Sequence, residues 1–170
     1  QVMTIAVSEQ SDALIDSLPF CLNDAKLLRQ TIETCFSAEI SFPKELSGPN
    51  ANRANILKSL RIFSQQTMDS EALILYYSGH GTPTNESVAL YCHDTQKIVF
   101  EETSISFSDI LNMLKLSPCP NKILIIDSCY SGNAAIKDDN GIEIMNEHLH
   151  VNYEGIHVLT SCTGKQKSYP

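Results

Sequence analysis

Two short polar runs in this sequence carry side chains that can perform nucleophilic catalysis. His80 lies between two glycines, just after the apolar segment 72–77, and Cys129 lies just after the apolar segment 123–126. A thiol is a good nucleophile as its thiolate, which a neighbouring histidine base can generate. If the two segments are adjacent strands that end side by side, they bring this imidazole and this thiol together.

The alternation of side chains along a strand predicts further polar groups at the same edge of the sheet. Side chains two positions apart share a face, so Ser78 is expected beside His80 and Asp127 beside Cys129. The glycine after the histidine lets the backbone approach a ligand closely. The N–H groups of Gly81 and Cys129 are therefore predicted to form an oxyanion hole.

The elements that must position these groups alternate between strands and helices. A helix is expected after a cap at Asn23 or Asp24, a second from about Arg53, and a third from Ser106 with Asp109 in a capping box. Strands are expected at 2–8, 38–42, 72–77, 123–126 and 156–159, with a loop at 43–52 and a small hairpin of 88–92 and 98–100. This alternation predicts an α/β fold, a mostly parallel sheet with helices on both faces.

Composition narrows the class of protein. The chain has 170 residues, is 42% hydrophobic, and carries a formal net charge of −8. This length favours one domain, and the acidic balance argues against the clustered basic surface that nucleic acids or anionic membranes require. No apolar stretch is long enough to span a bilayer, and the six cysteines contain no C-x-x-C pair, so a cytoplasmic protein is expected.

The two runs resemble the motifs of the caspase-like cysteine peptidases. His80 precedes Cys129 by 49 positions, and in caspases the histidine lies about 50 residues before the cysteine. The caspase signature Q-A-C-x-G is absent. Asp-Ser-Cys at 127–129 instead resembles metacaspases and their bacterial relatives, a branch that cuts after Arg or Lys.

The resemblance extends over most of the chain. The run 21–24 (CLND) is similar to the motif that opens the first helix of the family, and 156–170 is similar to the start of its small subunit. Residues 1–170 therefore resemble the large-subunit part of one caspase-like domain, a three-layer sandwich that is incomplete without a small-subunit segment. The acidic stretch 133–155 is interpreted as a processing or regulatory loop.

The resemblance implies a role for each site residue. His80 is the general base or acid and Cys129 the nucleophile, while Cys21, Asp24, Ser78 and Asp127 line the pocket for the residue before the cut bond. From the residues themselves, a carboxylate at Asp127 lies roughly 6–7 Å from the thiol and favours a cationic side chain there. Plainer roles remain open: a helix cap for Asp24, core packing for Cys21, a backbone hydrogen bond for Ser78 and a structural carboxylate for Asp127.

Other functions are alternatives to an Arg- or Lys-specific endopeptidase. A CHAT-type defence protease with another preference, or a catalytically idle pseudo-protease that binds a partner, would share these features. A nucleotide-binding domain is disfavoured because no glycine-rich phosphate loop follows the first strand. No cofactor and no metal site are expected, since His148 and His150 have no third ligand of suitable spacing.

Partners follow from the same resemblance. The expected partners are a protein or peptide substrate, a C-terminal small-subunit segment or chain, and a regulatory protein or domain. Calcium activation is common among metacaspases, and the acidic stretch 133–155 keeps it open as an alternative.

Overall fold

The main sheet has five parallel strands and one antiparallel edge strand. A computed structural model of the chain describes residues 1–36, 40–65, 72–84, 87–128, 150–153 and 155–161. Within these ranges the strands are β1 Val2–Ala6, β2 Ile40–Ser47, β3 Leu73–Ser78, β4 Gly81–Pro83, β5 Val88–Leu90, β6 Ile105–Ser106, β7 Lys122–Asp127, β8 His150–Tyr153 and β9 Ile156–Thr160. The main sheet has the order β2-β1-β3-β7-β9-β8, and β4-β5-β6 form a small antiparallel sheet.

Helices cover both faces of the main sheet. The described helices are α1 Phe20–Cys35, α2 Arg53–Gln65, the single-turn α3 Phe100–Thr103 and α4 Phe107–Lys115. Helix α1 contacts β1 and β3 on one face, while α2 and α4 contact each other on the opposite face. The three-layer α/β architecture is therefore confirmed.

The strand period decides which face each residue serves. Leu75 and Tyr77 of β3 lie in the large apolar core with α2 and α4. Tyr76, between them, packs against Cys21 and Ala25 of α1 on the other face. The cluster on the α1 side is the smaller of the two. By the strand period of two, the polar side chains of Ser78 and Asp127 lie on this same face of the sheet.

Two helix starts agree with the sequence and one does not. Helix α2 begins at the expected Arg53, and the Ser106 hydroxyl caps α4 by accepting the Asp109 N–H at 3.0 Å. Helix α1 begins at Phe20, after Pro19, with no side-chain cap. The expected cap at Asn23 or Asp24 was wrong, because proline already supplies a suitable φ at a helix start and the helix begins earlier.

The expected loop at 43–52 was also wrong in part. Strand β2 continues to Ser47, and a 3₁₀ turn follows at Gly48–Ala51. Proline is tolerated within β2 because this strand lies at the sheet edge. The register on β1 shifts there, from Val2 opposite Ile40 to Thr4 opposite Glu45. The part of the expected strand before residue 40 lies outside the described residues.

The expected hairpin of 88–92 and 98–100 does not form. Residues Lys97–Val99 make a 3₁₀ turn, and Ile98 has 85% of its surface exposed. Strand β5 pairs instead with β4 and β6. The apolar run 98–100 has the composition of a short strand, but pairing with β4 and β6 already occupies both edges of β5.

A buried cation supports the start of β7, at the end of the sheet away from the polar runs. Lys122 is 6% exposed, and its Nζ donates to the Cys119 carbonyl at 2.7 Å and the Ser117 carbonyl at 3.4 Å. These hydrogen bonds compensate for part of the desolvation of the ammonium group.

In the described ranges, no helix has the length and apolar character needed to cross a membrane.

Stability at alkaline pH tests how deeply Cys92 is packed. Burial, followed by the nearby Asp94 charge, raises the pKa of the Cys92 thiol to about 12 from an ordinary value of 9.0. The unfolded chain therefore loses this proton first. The protonated Cys92 thiol contributes fully to the free energy of unfolding below about pH 9. As the pH rises from about 9 to about 12, this contribution falls by about 1.4 kcal/mol per pH unit.

We expect Cys92→Ala to reduce the slope of unfolding free energy against pH, measured by urea denaturation at several pH values above about 9. Cys35→Ala is the control, because Cys35 is exposed. Parallel curves for the parent and Cys92→Ala would contradict the assignment.

Candidate active site

The carboxyl ends of β3 and β7 meet in register. The two strands are parallel neighbours with Ser78 opposite Asp127, and the Gly79 N–H donates to the Asp127 carbonyl at 3.2 Å. The expectation that the two apolar segments are adjacent strands is confirmed. Cys129 lies outside the described residues, so its distance from His80 stays a prediction.

Two contacts from the core hold the His80 backbone. The Tyr91 N–H donates to the His80 carbonyl at 3.0 Å, and the Tyr77 hydroxyl lies 2.9 Å from the same oxygen. That hydroxyl also lies 2.7 Å from the Tyr91 carbonyl. Since Tyr77 is completely packed, it joins the main sheet to the small sheet directly beneath the histidine.

The His80 imidazole has a defined orientation. Its Nε2 lies 2.7 Å from the Asp16 carbonyl oxygen, and the Tyr91 ring lies 5.8 Å away, centroid to centroid. A carbonyl only accepts hydrogen bonds, so Nε2 carries the proton and Nδ1 of the neutral ring keeps its lone pair. The nitrogen that is free to act as a base is therefore Nδ1.

The pairing of β4 with β5 sets the direction of the Gly81 N–H. Gly81 faces Leu90 across the β4–β5 pair, and the hydrogen bond from Tyr91 to His80 flanks this pair. Hydrogen-bonded and non-hydrogen-bonded pairs alternate in antiparallel strands, so this pair is the non-hydrogen-bonded type. The Gly81 N–H consequently points away from β5, toward the open edge of the small sheet.

The four residues predicted to line a pocket are close together on the α1 face. The buried Ser78 hydroxyl lies close enough to Cys21 and to Tyr76 to lower the pKa of each. The Tyr76 hydroxyl also donates to Asp127 Oδ2 at 3.3 Å. Asp24 completes the group, since its charge acts on both Cys21 and Tyr76.

The electrostatics of this group favour a cation. Burial first, and then the charges of Asp127 and Asp24, raise the pKa of the Cys21 thiol, against a hydrogen bond from Ser78 that lowers it. The same causes raise the pKa of Tyr76 well above its usual range. Both groups keep their protons at neutral pH, so Cys21 is not a nucleophile and the two aspartates supply the charge.

The sequence analysis did not identify two groups that contact predicted site residues. Tyr76 lies two positions before Ser78, and the strand period that pointed to Ser78 also points to this hydroxyl. The Asp16 group that holds the imidazole is a backbone carbonyl in the loop between β1 and α1. No side-chain pattern in the sequence identifies such a contact.

Metal ligands do not gather in the part of the chain that the structure describes. Within these ranges no group of three or more His, Cys, Asp or Glu side chains could hold an ion. His148 and nearly all of the acidic stretch 133–155 lie outside the described residues, as do residues 162–170. The interpretations of these segments stay predictions, although β8 lies within the stretch and pairs with β9.

Comparison with known proteins decides the family. The model of the caspase domain family matches residues 9–169. The chain belongs to this family. Caspase domain proteins are cysteine peptidases, which are hydrolases. No match was found among curated proteins.

Solved structures show the same fold. The structure described as pro-sf-caspase-1 has a TM-score of 0.57 and 16% identity, over 76% of this chain and 50% of that one. A protein from Geobacter sulfurreducens has a TM-score of 0.55 and 15% identity, over 75% and 49%. Caspase-1 from Spodoptera frugiperda has a TM-score of 0.55 and 16% identity, over 87% and 52%. This caspase domain chain spans about half the length of each.

The close approach at Gly79 is a testable feature of the caspase domain site. A Cβ at this position would lie 2.6 Å from the Tyr77 hydroxyl oxygen and 3.1 Å from Val7 Cβ. Because two carbonyls hold that hydroxyl, we expect Gly79→Ala to lower the free energy of unfolding by about 1–3 kcal/mol. Urea denaturation measures this loss.

A double variant separates this clash from other effects of the new methyl group. Tyr77→Phe removes the oxygen that the methyl group would meet, so the combined variant should lose less stability than the sum of the two single variants. Strictly additive losses would contradict the clash.

Proposed function

We propose that this chain supplies the catalytic large-subunit part of a cysteine endopeptidase that cuts peptide bonds after Arg or Lys. The observation that carries the proposal is the position of two carboxylates, Asp24 and Asp127, with Cys21 and Ser78 beside the strand end that precedes His80. Membership of the caspase domain family supports the peptidase chemistry.

The pocket group supports the preference before the cut bond. Asp127 is the last residue of β7, so its carboxylate lies two positions from the proposed nucleophile Cys129. A bound Arg or Lys would offset the two negative charges, whereas an acidic side chain would be repelled by both. Arg can in addition pair with a carboxylate through two parallel hydrogen bonds.

The proposed mechanism is a two-step acyl transfer. His80 takes the Cys129 thiol proton on Nδ1, and the thiolate attacks the peptide carbonyl while the Gly81 and Cys129 N–H groups bind the oxyanion. The imidazolium then gives its proton to the leaving amine, which yields an acyl-enzyme. Water, activated by His80, hydrolyses the thioester and restores the thiol. The Asp16 carbonyl stabilises the imidazolium through Nε2 in each step.

A peptide series tests this function. We expect the protein together with its small-subunit segment to hydrolyse fluorogenic amides ending in Arg and Lys, with those ending in Leu or Asp turned over at least about tenfold less efficiently. Cys129→Ala should abolish hydrolysis and labelling by an Arg-based thiol-reactive peptide probe. The matched control is Cys35→Ala, which changes an exposed cysteine at the end of α1.

Each other outcome of the series selects a different reading. Preference for Leu or Asp would overturn the specificity and favour another caspase-like protease. Tight probe binding with no turnover, unaffected by Cys129→Ala, would favour a pseudo-protease that acts as a binding module.

Tyr76 offers a second test of the pocket. Its hydroxyl donates to Asp127, and one such hydrogen bond is worth about 0.5–1.5 kcal/mol. We expect Tyr76→Phe to raise KM for the Arg peptide by about 2- to 12-fold with little change in kcat. A fall in kcat at constant KM would place Tyr76 outside substrate binding, and circular dichroism checks that the variant folds.

A further inference from the structure

We propose that Asp12 and Lys97 are positioning residues that clamp the loop between β1 and α1 so that its Asp16 carbonyl fixes the tautomer of His80. This inference rests on the proposed role of His80 as the base. Neither residue contacts the imidazole, and both act through the backbone of the loop that does.

Backbone hydrogen bonds shape the loop between β1 and α1. The Leu18 N–H donates to the Ser8 carbonyl at 2.8 Å, which closes the loop at its base. The Ile15 N–H donates to the Asp12 carbonyl at 3.0 Å and forms one turn within it. Asp16 follows directly after this turn, so the position of its carbonyl depends on how residues 12–14 are held.

Asp12 and Lys97 hold this turn through a closed set of hydrogen bonds. Asp12 Oδ1 accepts the Leu14 N–H at 2.9 Å, and Asp12 Oδ2 accepts the Lys97 N–H at 2.8 Å. In return, Lys97 Nζ donates to the Leu14 carbonyl at 2.9 Å. The two N–H groups and the Lys97 charge lower the pKa of Asp12, so the accepting carboxylate is ionised at neutral pH.

The side that carries Lys97 is itself well fixed. The Ser11 N–H donates to the His93 carbonyl at 2.8 Å, and His93 Nδ1 lies 2.9 Å from the Glu9 carbonyl. The Gln96 N–H donates to the Thr103 hydroxyl at 3.0 Å, immediately before Lys97. The 93–97 segment is therefore attached both to the start of the loop and to Thr103.

A fixed loop matters because the imidazole must keep one tautomer. The 2.7 Å contact of Nε2 with the Asp16 carbonyl leaves Nδ1 to accept a proton. If residues 12–14 lose their support, the carbonyl withdraws, the neutral ring exchanges between both tautomers, and the ring also loses its fixed orientation. The fraction of protein in which an unprotonated Nδ1 is correctly oriented then falls, and kcat falls with it.

Nitrogen NMR of the full chain, labelled with ¹⁵N-histidine, measures the tautomer directly. His80→Gln assigns the resonances of His80. The parent should show the Nε2–H form, while Asp12→Asn and Lys97→Met should each show a mixture of both neutral forms. Asp12→Asn places an amide against the Lys97 N–H, and Lys97→Met removes only the hydrogen bond to Leu14 and the charge.

Kinetics provide the second arm. We expect both variants to lower kcat about tenfold with KM within about twofold, since positioning of the base acts on the chemical step rather than on substrate binding. Lys58→Met is the matched control, because Lys58 is exposed on α2 at the opposite face of the sheet. It should leave both the tautomer and kcat unchanged.

Each outcome decides the proposal. Unchanged tautomers in both variants, or shifted tautomers with an unchanged kcat, would overturn it. If one variant fails to fold, the other still gives both measurements. If the parent together with its small-subunit segment hydrolyses no peptide, the proposed function fails, and the NMR result alone decides whether the clamp orients His80.

Discussion

The site depends on one constraint, the in-register parallel pairing of β3 with β7. This pairing places Ser78 opposite Asp127, so that the two polar runs leave the sheet at the same height. A shift of one residue would turn the Asp127 side chain to the opposite face and break its contact with Tyr76. The apolar side chains of both strands prevent such a shift, because Leu75 and Leu124 are completely buried in the common core.

Loops outside the main sheet supply contacts that orient His80. Backbone carbonyls and amides, rather than side chains alone, orient the histidine: Asp16 from the loop after β1, and Tyr91 from the segment after β5. The Tyr77 hydroxyl contacts the backbone carbonyls of both His80 and Tyr91. The loop after β1 therefore holds the His80 imidazole, while Tyr77 and the segment after β5 hold the His80 backbone.

Much of this arrangement was predictable from local patterns. Apolar runs of strand length identified β3 and β7, and their polar ends identified His80, Ser78 and Asp127, because both patterns reflect burial and a period of two. The hairpin at 88–100 was misread because pairing partners are chosen across space, and Gly81–Pro83 gave no strand signal. The start of α1 was misplaced because a proline, rather than a capping side chain, precedes it. Asp16 was beyond prediction, since its contribution comes from the backbone.

Alternate residues of β3 pack into two different clusters and are therefore under different constraints. Tyr77 belongs to the large core and to the support of the base, while its neighbours Tyr76 and Ser78 belong to the smaller cluster under α1. Under the proposed function, substitutions in the smaller cluster would change the ligand that this strand accepts, whereas substitutions at Tyr77 would disturb the large core and the support of His80. A lineage built on this strand could then change its substrate preference on one face while the other face keeps the scaffold.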